Sequence, residues 1–401
     1  MIHSSQYLPT ILPIYVDETI SEIDRVQDLS STTTLNRTKV EEVGRVGIVD
    51  WRKATPTISV TLRQLEYGQM EFWRKLANKA STVQQINWTD FKTSASDLCA
   101  YMTDDSGTFL GTLYYPGLRM ASLALNIGSP DAMMERNFTL AGEDEYILEN
   151  ANKYVICKKY TIATGGLNKT VTISDPAPAA DPDLSGQFLF KVVKVSGGTA
   201  TLLTHGLDWS YDGAGTLQIN GASSAGDSIK VYYSAGSYIG GLTPFSLNDI
   251  DASSLSAENV SIYLQSANYV YRLQSVAIDT TFNRFDVKEI GSMTTVARGV
   301  RDITNRITLG RILEAYTIEE ILRGVAGQSY GKLNPRNFTS NFSLIIKIYA
   351  ENTKDTFKLG YKFLDVAATS LDGGVTVSDY VRRGVVLEGE EAFVTTNEGS
   401  L

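Results

Sequence analysis

Residues 36–45 read NRTKVEEVGR, and residues 283–292 read NRFDVKEIGS. Asn36, Arg37, Val40, Glu42 and Gly44 recur as Asn283, Arg284, Val287, Glu289 and Gly291, an offset of 283 − 36 = 247. The register holds beyond the phrase. Val60-Thr61-Leu62 meets Ile307-Thr308-Leu309, Leu98 meets Ile345, Tyr114 meets Tyr361, and Arg136 meets Arg383. LAGEDEYI (140–147) meets LEGEEAFV (387–394). EFWRKLA (71–77) meets EILRGVA (320–326) at 249, a small local insertion in the second copy. Order, spacing and residue character agree, so the chain carries a duplicated domain, 25–149 and 272–396. A period this long means two globular units and not a solenoid.

Each copy has the same layout. A β-rich stretch opens it, 33–49 and 280–296. Then comes an alternating strand, with Ile58, Val60 and Leu62 on one face and Thr57, Ser59 and Thr61 on the other. A helix is predicted over 66–79 and 317–326, its apolar stripe Phe72, Trp73 and Leu76 matched by Ile321, Leu322 and Val325. Further strands follow, such as FSLIIKIYA (342–350). The expected fold is mainly β: two tandem antiparallel β-sandwich domains, each with one flanking helix.

Different material separates the copies. DPAPAADPDLSG (175–186) reads as loop, set among short β runs such as KYVICKKYTI, QFLFKVVKV and SIKVYYS. That spacing predicts a small inserted β-sandwich over 150–245, expected to project outward and to be dispensable. Residues 1–24 read as an extended arm, 246–271 as a linker and 397–401 as a tail. The apolar YLPTILPIYV in the arm has no basic lead-in and is too short to span a bilayer, so no membrane partner is expected.

A net charge of −9 argues against a protein that grips nucleic acid through its phosphates. Cys99 and Cys157, the two cysteines of the chain, cannot form a disulfide framework or a thiol metal site, and read as buried thiols. His3 and His205 stand alone in the arm and in a turn, read as solvent-exposed imidazoles. ATGGLNKT (163–170) lacks the Gly-Lys-Ser/Thr ending of a phosphate loop, and DGAGTLQ (212–218) lacks the third glycine of a dinucleotide fingerprint. Both read as β-turns. No catalytic constellation emerges, so neither an enzyme nor a cofactor is expected. The paired acidic phrases carry more weight: Glu143, Asp144 and Glu145 stand opposite Glu390 and Glu391. They read as solvated strand ends, as an unfavourably placed carboxylate pair, or as a repeated acidic surface in an assembly.

The NR-x-x-V-x-E-[VI]-G phrase, the TISVTL strand with its helix, and the closing RNFTLAGEDEY strand together resemble the tail tube proteins of long-tailed bacteriophages. The resemblance covers both repeats. It implies β-sandwich tube domains with one helix each, stacked into rings; in some members two fused domains let a trimer imitate a hexameric ring. DWSYDGAGTLQINGASSAGDSIKVYYSAG looks like the immunoglobulin-like decoration that many tail proteins carry. The implied role is a virion conduit that passes double-stranded DNA during ejection without binding it specifically. Implied partners are further copies of the chain, the tape measure protein, the tail terminator and baseplate or tip proteins, with room for a sheath; assembly would occur in the host cytoplasm. Candidate lumen or ring-contact acids are Glu41, Glu42, Glu143, Asp144, Glu289, Glu390 and Glu391, with Lys288 beside Glu289. Another virion tail component, or a carbohydrate-binding adhesin-like protein, remains the alternative.

Overall fold

The computed structural model describes residues 6–13, 21–23, 25–41, 50–103, 108–128, 132–149, 153–174, 178, 189–197, 199–237, 255–265, 268–270, 273–288, 295–312, 317–323, 334–338, 341–350, 354–374 and 382–401. It is mainly β, with a few short helices. The first stretch holds β1 (Gln6–Pro13), β2 (Ser21–Glu22), β3 (Val26–Thr34), β4 (Arg37–Val40), β5 (Asp50–Lys53), β6 (Thr57–Leu65), α1 (Glu71–Leu76), β7 (Gln85–Asn87), β8 (Ser96–Thr103), β9 (Phe109–Ile127), β10 (Glu135–Gly142) and β11 (Tyr146–Glu149). The middle holds β12 (Tyr154–Thr161), β13 (Lys169–Thr172), β14 (Leu189–Ser196), β15 (Thr199–Leu203), β16 (Trp209–Tyr211), β17 (Thr216–Ile219) and β18 (Ser228–Ala235). The last stretch holds β19 (Val260–Leu264), β20 (Asn268–Tyr269), β21 (Leu273–Lys288), β22 (Thr295–Ile312), α2 (Thr317–Leu322), β23 (Phe342–Tyr349), β24 (Phe357–Gly374), β25 (Arg382–Gly389) and β26 (Glu391–Thr395). Two compact units form: Met1–Ile23 with Ala95–Leu118 and Asp144–Ile250, and Asp24–Ser94 with Arg119–Glu143 and Asp251–Leu401.

In the second unit, eight strands pair in the order β3-β6-β10-β9-β21-β22-β25-β24, every pair antiparallel. Period-two alternation builds one dry face from Ile58, Val60, Leu62, Phe138, Leu123, Leu125, Ile278, Ile307 and Leu309, all buried. The other face carries short side chains such as Thr57, Ser59 and Thr61 together with charged ones such as Asp28, Arg63, Asp279 and Arg306. A second sheet runs β20-β19-β23-β24-β26-β7. β24 serves both sheets and turns between them near Asp365, whose φ of 51° is the left-handed conformation that aspartate tolerates better than most residues.

The core under the dry face is aromatic. Trp73 of α1 is fully buried, stacked on Trp88 with centroids 5.5 Å apart and edge-on to Phe138 at 5.3 Å and Tyr361 at 6.0 Å. A charge pair lies inside it. Arg136 donates from Nη1 to Glu66 Oε2 at 3.1 Å and from Nε to Gln64 Oε1 at 2.9 Å, all three residues being fully buried. Tyr361 donates to the same Glu66 oxygen at 2.7 Å, and Tyr67 and Gly68 donate backbone N–H groups to the other. Burial, then the Glu66 carboxylate, holds the Tyr361 hydroxyl well above its ordinary pKa.

In the first unit, β2-β1-β8-β9-β11 form one sheet, β12-β18-β14-β15 another and β13-β17-β16 a third. The last two face each other across Ile156, Val171, Val192, Trp209, Leu217, Ile229 and Tyr233. All eight residues of β18 are buried, because the sheet is covered on both faces. Val155, Cys157, Val193 and Tyr232 pack on Cys99, Tyr101, Tyr114 and Leu148 of the β8-β9-β11 sheet. Lys191 of β14 pairs with the buried Asp97, which also accepts from Tyr114 Oη at 2.7 Å and Gly117 N at 2.9 Å. Both thiols are free and buried. Burial pushes Cys157 up to about 11 and Cys99 well above its ordinary range. Iodoacetamide at pH 8 is therefore expected to label neither cysteine until denaturant is added, which intact-mass spectrometry reads directly.

The duplication reappears in the hydrogen-bonding pattern. The pairings β3–β6, β6–β10, β10–β9, β9–β8, β9–β11, β8–β1 and β1–β2 recur as β21–β22, β22–β25, β25–β24, β24–β23, β24–β26, β23–β19 and β19–β20. Leu29↔Leu62 recurs as Val276↔Leu309, and Phe138↔Leu62 as Val385↔Leu309, every position shifted by the offset of the opening phrases. β2 begins at Ser21 and β20 at Asn268, again the same offset. The segments read as arm and linker therefore hold matching strand pairs. The helices differ from expectation. Both are short, Glu71–Leu76 and Thr317–Leu322, and in each the matched apolar pair, Phe72 with Trp73 and Ile321 with Leu322, is buried. Val325 lies outside the described residues.

Candidate functional site

The junction between the two copies is a strand pair. β9 meets β21 from Ile127↔Val276 to Ser122↔Thr281, which makes the eight-stranded sheet continuous. The repeated Asn-Arg pair sits at its end. Asn283 donates to Asp302, and Asn36 in the first copy donates to Thr55, the counterpart of Asp302. Arg284 then reaches across the junction. Its guanidinium donates to the carbonyl of Met120 at 2.5 Å and to that of Phe91 at 2.8 Å. Burial, with Arg119 and Arg298 close by, pulls Arg284 down to about 10, so it stays charged at neutral pH. Phe282 is 3% exposed and meets Phe91 edge-on at 5.9 Å. Arg298 closes the junction by pairing with Glu143 and with Asp286, the latter at 3.3 Å.

The same sheet ends in two strands that are open on one side. Among the described residues, β3 pairs with β6 alone, and the 367–374 part of β24 with β25 alone. β3 is the counterpart of β21, and β24 that of β9. Leu35, the counterpart of Phe282, is 58% exposed. Beside β24 lies a depression lined by Thr304, Asp365, Glu388, Gly389, Glu390 and Glu391. Thr304, Glu388, Gly389 and Glu390 are the repeat counterparts of Thr57, Ala141, Gly142 and Glu143, which line the pocket that Arg284, Asp286 and Arg298 cover at the junction.

The acids expected to act together are divided by the structure. Glu143 is engaged by Arg298. Glu390 and Glu391 line the open depression and are exposed. Asp144 is exposed just beyond β10, and Glu41 is exposed just beyond β4. Glu42 and Glu289 lie outside the described residues, as does His3. Arg284 was noted only as part of the repeated phrase and given no role, and Phe282 and Leu35, the residues just before each Asn-Arg pair, were not singled out. His205 lies against Trp209, with ring centroids 4.5 Å apart. DGAGTLQ is the β16–β17 turn, in which Asp212 accepts from the N–H groups of Ala214 and Thr216. Among the described residues no group of three or more His, Cys, Asp or Glu is placed to hold a metal ion.

No protein-family model matches the sequence, and no curated protein does. Among solved structures the chain is similar to one described as the cryo-EM structure of the anti-feeding prophage cap, the AFP tube terminating cap. The identity is 10%, the match covers 39% of this chain and 100% of that one, and the TM-score is 0.29. The chain thus bears a distant structural resemblance to a tube-cap protein, and a likeness of that size carries no argument about function.

Proposed function

We propose that the chain is the structural subunit of a bacteriophage tail tube. Two tube-like domains per chain, 25–149 and 272–396, would let three chains close a ring of six domains, and stacked rings would conduct DNA. The insert would be an immunoglobulin-like module. The observation that carries the reading is the eight-stranded sheet itself. An open edge on each side is a liability in a monomer and is satisfied when a neighbour supplies the missing strand. The two edges differ, so the contact is heterologous, the kind that generates a ring when its rotation closes. Three such sheets supply 3 × 8 = 24 strands. At a spacing of about 4.8 Å they would make a circle about 37 Å across, before strand tilt widens it.

The uncovered sheet face suits a conduit. It presents Thr57, Ser59, Thr61, Thr139, Ser122, Ala124, Ala277, Thr281 and Thr304, short side chains that leave the bore wide. Among the charges described on it, Asp28, Glu135, Asp279, Asp302 and Asp372 outnumber Arg63, Arg119 and Arg306. A net-acidic wall repels a duplex instead of holding it through counterion release. Glu143, Glu390 and Glu391 then belong to contacts between domains, and the lumen acids are those of the sheet face. Further copies, the tape measure protein, the terminator and baseplate or tip proteins would be its partners in the virion. Electron microscopy of the purified protein is expected to show threefold rings stacking into hollow tubes. Monomers under all conditions, or rings of six chains, would overturn the reading; single unstacked rings would point to another tail component.

A further inference from the structure

We infer that the β9–β21 junction inside the chain is the template for the contact between chains: β3 with its β4–β5 hairpin docks on β24 of a second copy, and Arg37 and Leu35 anchor it. The inference rests on the proposed ring and specifies its seam residue by residue.

β3 and β21 match at an offset of 247, shown by their pairings to β6 and β22. β9 and β24 match at 248 in their outer halves. Their positive-φ residues, Gly117 and Asp365, stand in that relation, since 365 − 117 = 248. Their pairings agree: Leu123 faces Phe138 where Leu371 faces Val385, and Leu371 follows Leu123 by the same interval. Projecting Ala277↔Asn126 through Thr281↔Ser122 onto the open edges therefore pairs Ser30 with Gly374, Ser31 with Gly373, Thr32 with Asp372, Thr33 with Leu371 and Thr34 with Ser370 of the second copy.

The anchors follow from the same projection. Arg37 takes the place of Arg284, and the carbonyls it would reach are those of Ala368 and Phe338, the counterparts of Met120 and Phe91. Leu35 takes the place of Phe282 and would cover Phe338 as Phe282 covers Phe91. Exposure of Leu35 in the single chain is what an unfilled seam requires. Phe338 follows a short helical turn with Asn334 at its N-cap, as Phe91 lies in one with Asn87 at its N-cap.

The charges have been exchanged in a compensating way. At the internal junction Arg298 pairs with both Asp286 and Glu143. At the projected seam their counterparts are Lys39 and Trp51, and the partner acid is Glu390. Lys39 lies over the Trp51 ring at 5.6 Å, so the cation has moved to the neighbouring strand of the hairpin and still faces an acid. The strands that make this hairpin read RTKV and DWRK, basic overall, and the depression they would cover holds Asp365, Glu388, Glu390 and Glu391. Opposite charge on the two surfaces favours this pairing and discourages like with like.

Paired cysteines test the register. Residues facing each other in an antiparallel pair have Cα atoms about 4.5–5.5 Å apart, within disulfide range. The full-length chain carrying Thr32→Cys and Asp372→Cys, assembled and exposed to oxidised glutathione, is expected to give covalent dimers and trimers on non-reducing gels. Thr32→Cys with Ala368→Cys, far out of register, is expected to stay monomeric. Arg37→Ala should raise the protein concentration needed for assembly at least tenfold while leaving the thermal melt of the unassembled chain unchanged. Rings that form normally without the Thr32–Asp372 cross-link, or with Arg37→Ala at no cost, would overturn the seam and leave the tube reading standing. Absence of any multichain particle would overturn both.

Discussion

Replacing residues 150–245 by a short Gly/Ser linker is expected to remove the cooperative melt of the first compact unit. Sheet β12-β18-β14-β15 buries Val155, Cys157, Val193 and Tyr232 against Cys99, Tyr101, Tyr114 and Leu148. Each large side chain returned to water forfeits about 1.5–3 kcal/mol. Asp97, fully buried, loses Lys191 and keeps only neutral partners. Together these losses are on the order of 5–10 kcal/mol, as large as the whole stability of an ordinary domain. Increased dye binding and rapid proteolysis within 95–118 should accompany the lost transition. A deletion variant with an unchanged melt would show that this face tolerates water.

Glu66→Ala is expected to cost the second unit about 3–5 kcal/mol, the range for stranding one partner of a buried pair. Arg136 would keep its bond to Gln64 but face Tyr67, Phe72, Trp73 and Phe138 with no counter-charge. Those rings attract a cation, though too weakly to replace a carboxylate. Urea titration should show a lower midpoint with an unchanged slope. The double variant Glu66→Leu, Arg136→Met should recover most of the loss, since replacing both charges by apolar side chains removes the desolvation problem. A single-variant loss below about 1 kcal/mol would mean that water reaches the pair.

The duplication was legible because strand alternation and register survive together: Ile58, Val60 and Leu62 declare a face, and Ile307 and Leu309 declare the same one in the second copy. The match of Arg136 to Arg383 was also legible, but its meaning was not. Arg136 finds its acid at the end of β6, whereas Arg383 finds Glu319 on α2 at 3.0 Å. A buried ion pair is a tertiary fact, and the acid had moved between elements. The β9–β21 junction left no local mark, because pairing between distant strands depends on which edges remain open after each copy folds. The burial of both faces of β18 left no local mark either: Lys230, Tyr232 and Ser234 alternate with apolar neighbours, yet all three are buried. The helices read too long because sequence periodicity extends past the short stretches, Glu71–Leu76 and Thr317–Leu322, that keep helical hydrogen bonds.

The pairing of β7 with β26 bears on how the chain must be made. Asn87 waits for Phe393 and Gln85 for Thr395, so the edge of one copy is closed by the final strand of the other, which begins only at Glu391. At about 5–20 residues per second that strand leaves the ribosome roughly 15–60 s after β7. During this interval the Trp73 and Trp88 cluster lacks Tyr361, and the Arg136–Glu66 pair lacks its hydroxyl donor. Nascent chains should therefore depend on chaperone protection for most of their synthesis. Nonsense mutations late in the gene should damage the early copy as severely as the late one.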